Sequence, residues 1–391
     1  MPSFHDQPLP EGLPIGPDEI RRAASYVLDH PGAEAVEVLV TGSTVGLTRY
    51  ARSAIIQNTV RHEVRANVRL HLGERVASAS TNQLDAESMR ATADKALEAA
   101  RRAPVDPDFP GFAVPDHDAP PILRWDESTS CTSPAERAAA VATIVGGVGD
   151  GHAAGIFETG GHAFGLVSSH GLDRFDAFTR ASTTCLADVD GATGWGEASA
   201  ERMSTVDPAA VAARAATKAR SGRGAVDGEP GRHEVVLEAS AVAVLLDYLA
   251  YAGFGAKQVI DGDSFLSTRS GEQVAATDVD VSDDVRHPLS IGIAFDFEGS
   301  PRSRVPVIEN GVARSPVTDL RTGRQVGTPS TGHSSGSAEY GPYASNIVLE
   351  AGSSSLDDMV AGVEDGFLVT RFHYVNILDR PSTLLTGMTR D

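Results

Sequence analysis

Hydrophobic and polar positions recur with two different periods in the first part of the chain. Ile20, Ala23, Ala24 and Val27 repeat at helical spacing and predict a helix over about residues 16–29. Alternation at period two over residues 63–72 predicts a half-buried strand. The same patterns predict further strands over residues 35–40, 45–51 and 75–80, followed by a helix over residues 85–102.

A similar order of elements returns later in the chain. The patterns predict helices over residues 133–148 and 207–220 and, between them, strands over residues 155–159, 162–169, 174–189 and 194–200. The passage from strand to helix before Asp207 resembles the passage before Asp85, about 120 residues earlier. This similarity predicts an internal duplication.

Two breaks organise the chain. Residues 103–121 contain six prolines and predict an irregular connection, and residues 221–231 contain four glycines. The second break predicts a boundary between domains 1–228 and 229–391. Beyond it come a strand over residues 232–238, an apolar helix over residues 241–254 and glycine-punctuated strands. The predicted fold class is α+β, with an N-terminal α/β domain containing the duplicated strand–helix unit and a β-rich C-terminal domain of twisted, mostly antiparallel sheet.

Composition narrows the classes of partner. The 391 residues carry 53 Asp and Glu against 33 Lys and Arg, a net charge of −20, which argues against nucleic acid and anionic membranes as partners. No segment approaches the roughly 20 apolar residues of a membrane span, and the first residues lack the pattern of a signal peptide. We therefore expect a cytoplasmic protein in which Cys131 and Cys185 are reduced.

The residues present offer no metal-binding helix. Zinc binding by one helix needs two histidines close in sequence with a glutamate beside the first. None of the 12 histidines lies four or five positions from another, and residues 241–254 contain none. The sequence therefore predicts no metal site and no catalytic residue in this chain.

Three other segments were weighed for chemistry. Gly332-His-Ser-Ser-Gly matches the spacing of a hydrolase nucleophile elbow at Ser334, but glycine-rich flanks favour a loop. The acidic run from Asp278 to Asp284 favours a solvated strand edge over a calcium loop. Residues 367–376 predict one strand whose two faces both mix polar and apolar side chains, so one face is expected to line a cavity or interface. Its candidate substrate-binding residues are Arg371, His373, Tyr374 and Asn376.

Several short segments, in the same order, resemble the TldD/PmbA family of modulators of gyrase. They are Val235-Val-Leu-Glu, Gly253-Phe-Gly-Ala-Lys, Asp261-Gly-Asp-Ser-Phe-Leu, Gly271-Glu-Gln-Val, Thr331-Gly-His, residues 342–346, Thr370-Arg-Phe-His-Tyr-Val-Asn and Leu384-Leu-Thr-Gly-Met-Thr-Arg-Asp. The match is loose from about residue 15 and close from residue 232 onward. Family chains usually continue beyond the last segment into another strand or two, so a trimmed C-terminus or a shorter final sheet is expected here.

The resemblance implies a two-subunit zinc peptidase. The TldD-type subunit carries His-Glu-x-x-x-His and a downstream cysteine for zinc, and the TldE or PmbA-type subunit does not. Because residues 242–247 stand where that motif lies, the resemblance implies a TldE-type chain.

The function expected from the resemblance is that of a non-catalytic subunit in a heterodimeric zinc metallopeptidase that cleaves unfolded or small peptides, including peptide or natural-product maturation. The TldD-type partner supplies the zinc and the catalytic glutamate, and the substrate is an extended peptide. Two alternatives remain open: a stand-alone serine hydrolase using Ser334, and a non-enzymatic peptide-binding or assembly protein.

Overall fold

A computed structural model describes residues 9–115 and 118–390. The helices and strands of the first part are α1 (Pro17–Ser25), β1 (Ala35–Ala51), β2 (Ala54–Leu72), β3 (Arg75–Thr81), α2 (Ala86–Arg102), α3 (Glu127–Ser130), α4 (Pro134–Val148), β4 (His152–Ser168), β5 (Asp173–Val189), β6 (Ala192–Ala200) and α5 (Pro208–Ser221). Those of the second part are β7 (Glu234–Leu237), α6 (Ala239–Leu249), α7 (Ala256–Ile260), α8 (Leu266–Arg269), β8 (Val281–Asp283), β9 (Val305–Glu309), β10 (Val312–Ala313), α9 (Leu320–Val326), β11 (Ile347–Leu349), α10 (Leu356–Ala361), β12 (Gly366–Val369), β13 (Arg371–Asp379) and β14 (Leu384–Arg390).

The first part is built on one six-stranded sheet in the order β3-β2-β1-β4-β5-β6, with every neighbouring pair antiparallel. The order is symmetric about the β1–β4 pair, and each half ends in a helix that packs back on it, α2 on β2 and β3, and α5 on β5 and β6. The predicted duplicated strand–helix unit is therefore confirmed.

Two strands are longer than predicted because glycines in their middle serve packing and do not end them. Residues 35–51 and residues 152–168 each form one strand where the pattern predicts two. A Cβ atom on Gly42, which lies between the two predicted strands, would be 2.6 Å from the Ile15 side chain, and one on Gly161 would lie 2.4 Å from the Trp125 ring. The glycines allow these large side chains to lie against the sheet.

Helix starts follow the predicted signals closely. The Asp85 carboxylate accepts hydrogen bonds from the first turn of α2, and Asp207 does the same for α5. Ser133 and Glu136 form a reciprocal capping box at the start of α4.

Among the described residues, the second part has three small sheets, and the prediction of mostly antiparallel sheet is confirmed. One has four strands in the order β10-β9-β8-β11 and is antiparallel, β13 and β14 form an antiparallel hairpin, and β12 pairs with β7 in parallel. Most of the remaining chain here is irregular. Residues 222–233 before β7 carry neither helix nor strand, and the division at residue 228 stays a prediction.

The Asp176 carboxylate on β5 joins three distant segments. It is fully buried and accepts hydrogen bonds from the backbone N–H groups of Ile122 (3.0 Å), Leu123 (2.9 Å) and Ala294 (2.8 Å), and from Ala177. The partners lie on the connection after α2, on β5 itself and in the second part of the chain. The Asp176 side chain is therefore one of the contacts that join the two parts of the chain.

The predicted absence of a signal peptide concerns residues 1–7, which lie outside the described residues. In the part of the chain that the structure describes, no helix has the length and apolar character needed to cross a bilayer.

Candidate functional site

Helix α6 lies where the resemblance predicts a metal-binding helix, and its side chains do not suit zinc. Val242 and Ala243 stand at the predicted positions of the first histidine and the glutamate, and neither side chain has a donor atom. Asp247, near the position of the second histidine, accepts a 2.7 Å hydrogen bond from the Tyr343 hydroxyl. Over residues 9–115 and 118–390 no group of three or more His, Cys, Asp and Glu side chains is placed to hold a metal ion. The donor chemistry on α6 therefore does not fit a zinc centre.

One side of α6 borders a large apolar cavity. The helix is apolar along almost all its length, yet Ala241 is the only one of its residues that is buried. Val242, Leu245, Leu246 and Leu249 line a cavity of about 720 Å³, closed on other sides by the sheet of β8 and β9 and by the turn after β13. Cavities of this size and lining are typical of sites that bind a ligand or a segment of another chain.

The end of α6 borders a second, polar cavity of about 390 Å³. After Leu249 the backbone widens into one π-helical turn, Ala250–Phe254, which carries Tyr251 outward. Single π turns inside helices are frequent at functional sites. Tyr343, held by Asp247, lies between this cavity and α6.

The predicted strand over residues 367–376 is two strands. The chain breaks at Thr370, so that β12 pairs with β7 and β13 pairs with β14. A register shift between His373 and Asn376 then changes the alternation within β13, and Tyr374 adopts a positive φ of 49°. The prediction of one strand is therefore wrong, because a break at Thr370 and a bulge after His373 interrupt the period of two. Arg371 and His373 keep a regular register and share a face, as predicted.

The four candidate substrate-binding residues are brought together only in part. The His373 and Tyr374 rings contact each other with centroids 4.2 Å apart, and the Asn376 amide donates to the Tyr374 carbonyl. Tyr374 is 71% exposed. The Arg371 guanidinium instead lies 3.7 Å from the centroid of the Trp195 ring on β6. Arg371 therefore takes part in the contact between the two parts of the chain, and the substrate-binding role of the group stays a prediction.

The glycine-rich segment at residues 332–336 is a buried loop. His333 is fully buried, its Nε2 atom 2.9 Å from Asp283 Oδ1 and its Nδ1 atom 2.9 Å from Thr331 Oγ1. Both ring nitrogens thus have partners other than the neighbouring Ser334, so His333 is not placed as a base for that serine. Asp283, predicted to lie on a solvated edge, is buried. Burial alone would raise its pKa, but the hydrogen bond from His333 and the backbone N–H of Asn346 hold the pKa below its usual value.

A buried charge network, which sequence reasoning missed, lies where the two parts of the chain meet. Arg69 on β2 contacts Glu37 at 2.9 Å and Glu298 at 3.7 Å, and its guanidinium lies 4.8 Å from the centroid of the Phe112 ring. Burial raises the pKa of Glu37 to about 7, although Arg69 favours its ionised form. Burial and the neighbouring Glu298 raise the pKa of Asp296 to about 7 as well.

We expect stability to fall as pH rises through this range. A raised native pKa means that folded Glu37 keeps its proton between about pH 4.5 and 7, where the unfolded chain releases it. Because unfolding then releases the Glu37 proton, the free energy of unfolding falls as the pH rises from about 4.5 to 7, and it levels off once folded Glu37 ionises. Relative to a Glu37→Gln variant, the wild-type protein should lose roughly 2–3 kcal/mol over this interval in urea denaturation. Glu63→Gln, at an exposed position of β2, is the control and should track the wild type. A constant difference between wild type and Glu37→Gln would contradict this account.

Comparison with known proteins places the second part of the chain. Residues 230–389 match the sequence profile of the PmbA/TldA metallopeptidase C-terminal domain. The chain therefore carries a domain of the PmbA/TldD family, and the resemblance inferred from its motifs is confirmed.

Individual relatives agree with that assignment. The chain is 27% identical over 197 residues to an uncharacterised protein of Methanocaldococcus jannaschii, an alignment that covers 49% of this chain and 46% of the relative. It is 29% identical over 146 residues to a metalloprotease TldD homolog of Buchnera aphidicola, covering 36% of this chain and 30% of the relative. The chain thus spans less than half the length of these curated relatives. In fold it is similar to TldE from Thermococcus kodakarensis, with a TM-score of 0.78, 19% identity, and coverage of 92% of this chain and 83% of that one.

Proposed function

We propose that this chain is the TldE-type, non-catalytic subunit of a heterodimeric zinc metallopeptidase. The observation that carries the proposal is the chemistry of α6: Val242 and Ala243 replace the first histidine and the glutamate, and Asp247 is engaged by Tyr343. A chain with these side chains contributes neither metal ligands nor a general base on this helix. Its fold similarity to a protein named TldE supports the subunit type.

In this proposal the partner is a TldD-type chain that supplies the zinc and the catalytic glutamate. Support comes from the half-exposed apolar side of α6 and from the exposed apolar residues Leu378, Leu384 and Met388 on the β13–β14 hairpin. Apolar surface of this kind is typical of surfaces that another chain covers. The proposed location is cytoplasmic.

The proposed substrate is an extended peptide, unfolded or small, including precursors of modified peptides and natural products. β14 is an edge strand whose residues are mostly exposed, and an edge strand can pair with an extended chain through backbone hydrogen bonds. His373, Tyr374 and Asn376 on the adjoining strand orient that peptide in this proposal, and Arg371 supports them from its position on Trp195.

Co-expression with a TldD-type chain tests the proposal. We expect a stable 1:1 complex that contains zinc and cleaves an unstructured peptide, and we expect neither purified chain to cleave it alone. A triple His373→Ala, Tyr374→Ala, Asn376→Ala variant should assemble normally and lower turnover at least tenfold, whereas Thr389→Ala, exposed on the neighbouring strand, should not. Stoichiometric zinc retained by this chain alone would overturn the proposal.

A second candidate is a binding protein that holds a peptide without cleaving it. The apolar cavity of about 720 Å³ beside α6 favours this alternative, because it needs no catalytic partner to be occupied. Peptide binding by the isolated chain, together with failure to assemble with any TldD-type chain, would select it. In the serine hydrolase alternative His333 does not serve as the base for Ser334, since its ring nitrogens already contact Asp283 and Thr331.

A further inference from the structure

The polar cavity at the end of α6 is built mainly from aromatic and acidic side chains. Its walls come from the π-helical turn, from α7 and the residues after it, from the loop after Ser334 and from the turn that follows β13. The residues that the argument uses are Tyr251, Lys257, Asp261, Asp263, Glu339 and Tyr340, and Arg380 closes one side.

Local backbone geometry fixes this cavity. Gly341 has a φ of +70°, and a Cβ atom there would lie 2.6 Å from the Lys257 side chain. Only a glycine allows the loop to turn in this way while it packs against α7. The Gln258 side chain, also on α7, donates to the Tyr340 carbonyl, which holds the Tyr340 segment over the opening.

The cations of the cavity are already neutralised. Lys257 contacts Asp261 at 2.6 Å, and Arg380 contacts Asp263 at 3.9 Å. Arg380 also lies 5.3 Å from the centroid of the Tyr251 ring. Tyrosine faces at this cavity therefore already attract one guanidinium.

One carboxylate remains without a cation. Within residues 9–115 and 118–390, Glu339 has no salt-bridge partner, and it lies next to Tyr340, which is 62% exposed. The lining thus holds three carboxylates against two cations in a chain of net charge −20. An uncompensated carboxylate beside an exposed aromatic ring suits a ligand that is both positively charged and a hydrogen-bond donor.

We propose that this cavity binds an ammonium or guanidinium group of a peptide. The peptide substrate in the proposed function then carries a basic residue near the segment that is bound. Only the description of the bound peptide as a substrate rests on the proposed function. The binding itself is inferred from the cavity alone. The basic group would lie against Tyr340 with its charge on Glu339. An acidic side chain would meet the net negative lining and bind poorly.

Isothermal titration of the isolated chain tests the cavity without any partner subunit. The probes are unstructured peptides, acetylated and amidated at their ends, that differ only in a central Lys, Arg, norleucine or Glu. Norleucine keeps the apolar stem of lysine and removes its charge. We expect the Lys and Arg peptides to bind at least tenfold more tightly than the norleucine peptide, and the Glu peptide not to bind. A fifth peptide with a free α-amino group and central norleucine distinguishes a chain terminus from a side chain as the source of the cation.

Variants distinguish binding in the cavity from attraction of a basic peptide by the net negative charge of the whole protein. Glu339→Gln and Tyr340→Ala should each weaken the Lys peptide about tenfold, Tyr340→Phe should bind as the wild type does, and Glu364→Gln, exposed elsewhere in the second part of the chain, should have no effect. Equal affinity for the Lys and norleucine peptides, no binding of any peptide, or a Glu339→Gln variant with unchanged affinity would each overturn the inference. Because no partner is present, these outcomes are independent of whether the chain assembles with a TldD-type subunit.

Discussion

Asp176→Ala is expected to cause the largest loss of stability of any single substitution considered. The substitution leaves the N–H groups of Ile122, Leu123 and Ala294 buried without an acceptor, along with that of Ala177. An unsatisfied buried donor costs about 1–3 kcal/mol, so the free energy of unfolding should fall by more than about 4 kcal/mol. Urea denaturation followed by circular dichroism measures this loss.

A matched control lies on the same strand. Asp188 accepts a single backbone hydrogen bond, from Gly191, at a more exposed position. Asp188→Ala should therefore cost about 1 kcal/mol or less. Asp176→Asn keeps one oxygen acceptor, so its loss of unfolding free energy should lie between those of the two alanine variants. Equal losses for Asp176→Ala and Asp188→Ala would show that the buried carboxylate does not join the segments as described.

Arg69→Ala should be the second most damaging substitution, and its effect should depend on pH. It leaves Glu37 and Glu298 buried together without their shared cation. Removing one member of a buried ion pair typically costs about 3–5 kcal/mol. The loss should be larger near pH 8 than near pH 5, because at the lower pH Glu37 holds a proton and needs no cation, since burial raises its pKa to about 7.

Arg65→Ala provides the comparison, since Arg65 lies on the same strand and its guanidinium donates to Ser80 at an exposed position. Its removal should cost less than about 1 kcal/mol at either pH. A loss for Arg69→Ala that grows as the pH falls would contradict the assigned network, because protonation should relieve the repulsion between the two carboxylates. Thermal unfolding at three pH values is sufficient to decide.

Local signals in the sequence were enough to place the five longest helices that the structure describes. Asp85, Ser133 and Asp207 are side chains that cap helices through their own oxygen atoms, so each start depends on a few neighbouring residues. The duplication was also accessible, because both units repeat the same order of patterns. These features need no knowledge of distant contacts.

The lengths of the strands and the break at Thr370 could not be predicted from local signals in the sequence. Gly42 and Gly161 interrupt the predicted strands in the sequence, and only the positions of Ile15 and Trp125 show why they lie within strands. Thr370 separates two strands because β12 pairs with β7, a segment far earlier in the chain. A period-two pattern indicates a strand, but it does not indicate which other strand will pair with it.

The sequence predicts that α6 lacks zinc ligands, but it does not predict the buried contacts around the candidate site. The missing histidines can be read directly from residues 241–254. The contacts of Glu37 with Arg69 and of Asp283 with His333 join positions that are distant in sequence, and no motif marks them in advance. Burying a charge is costly unless it is paired, so such groups become recognisable only when the fold shows their partners.

The parallel pair of β7 and β12 has a consequence for how the chain is made. β7 opens the second part of the chain, but its ladder partner, Gly366–Val369, is synthesised only after nearly all of that part has left the ribosome. Contacts between such distant positions form slowly, since the loop between them must close first. The first part, whose strands pair mostly with sequence neighbours, can fold during translation. The nascent second part must meanwhile wait with β7 unpaired, which makes this stage of synthesis the one most exposed to aggregation.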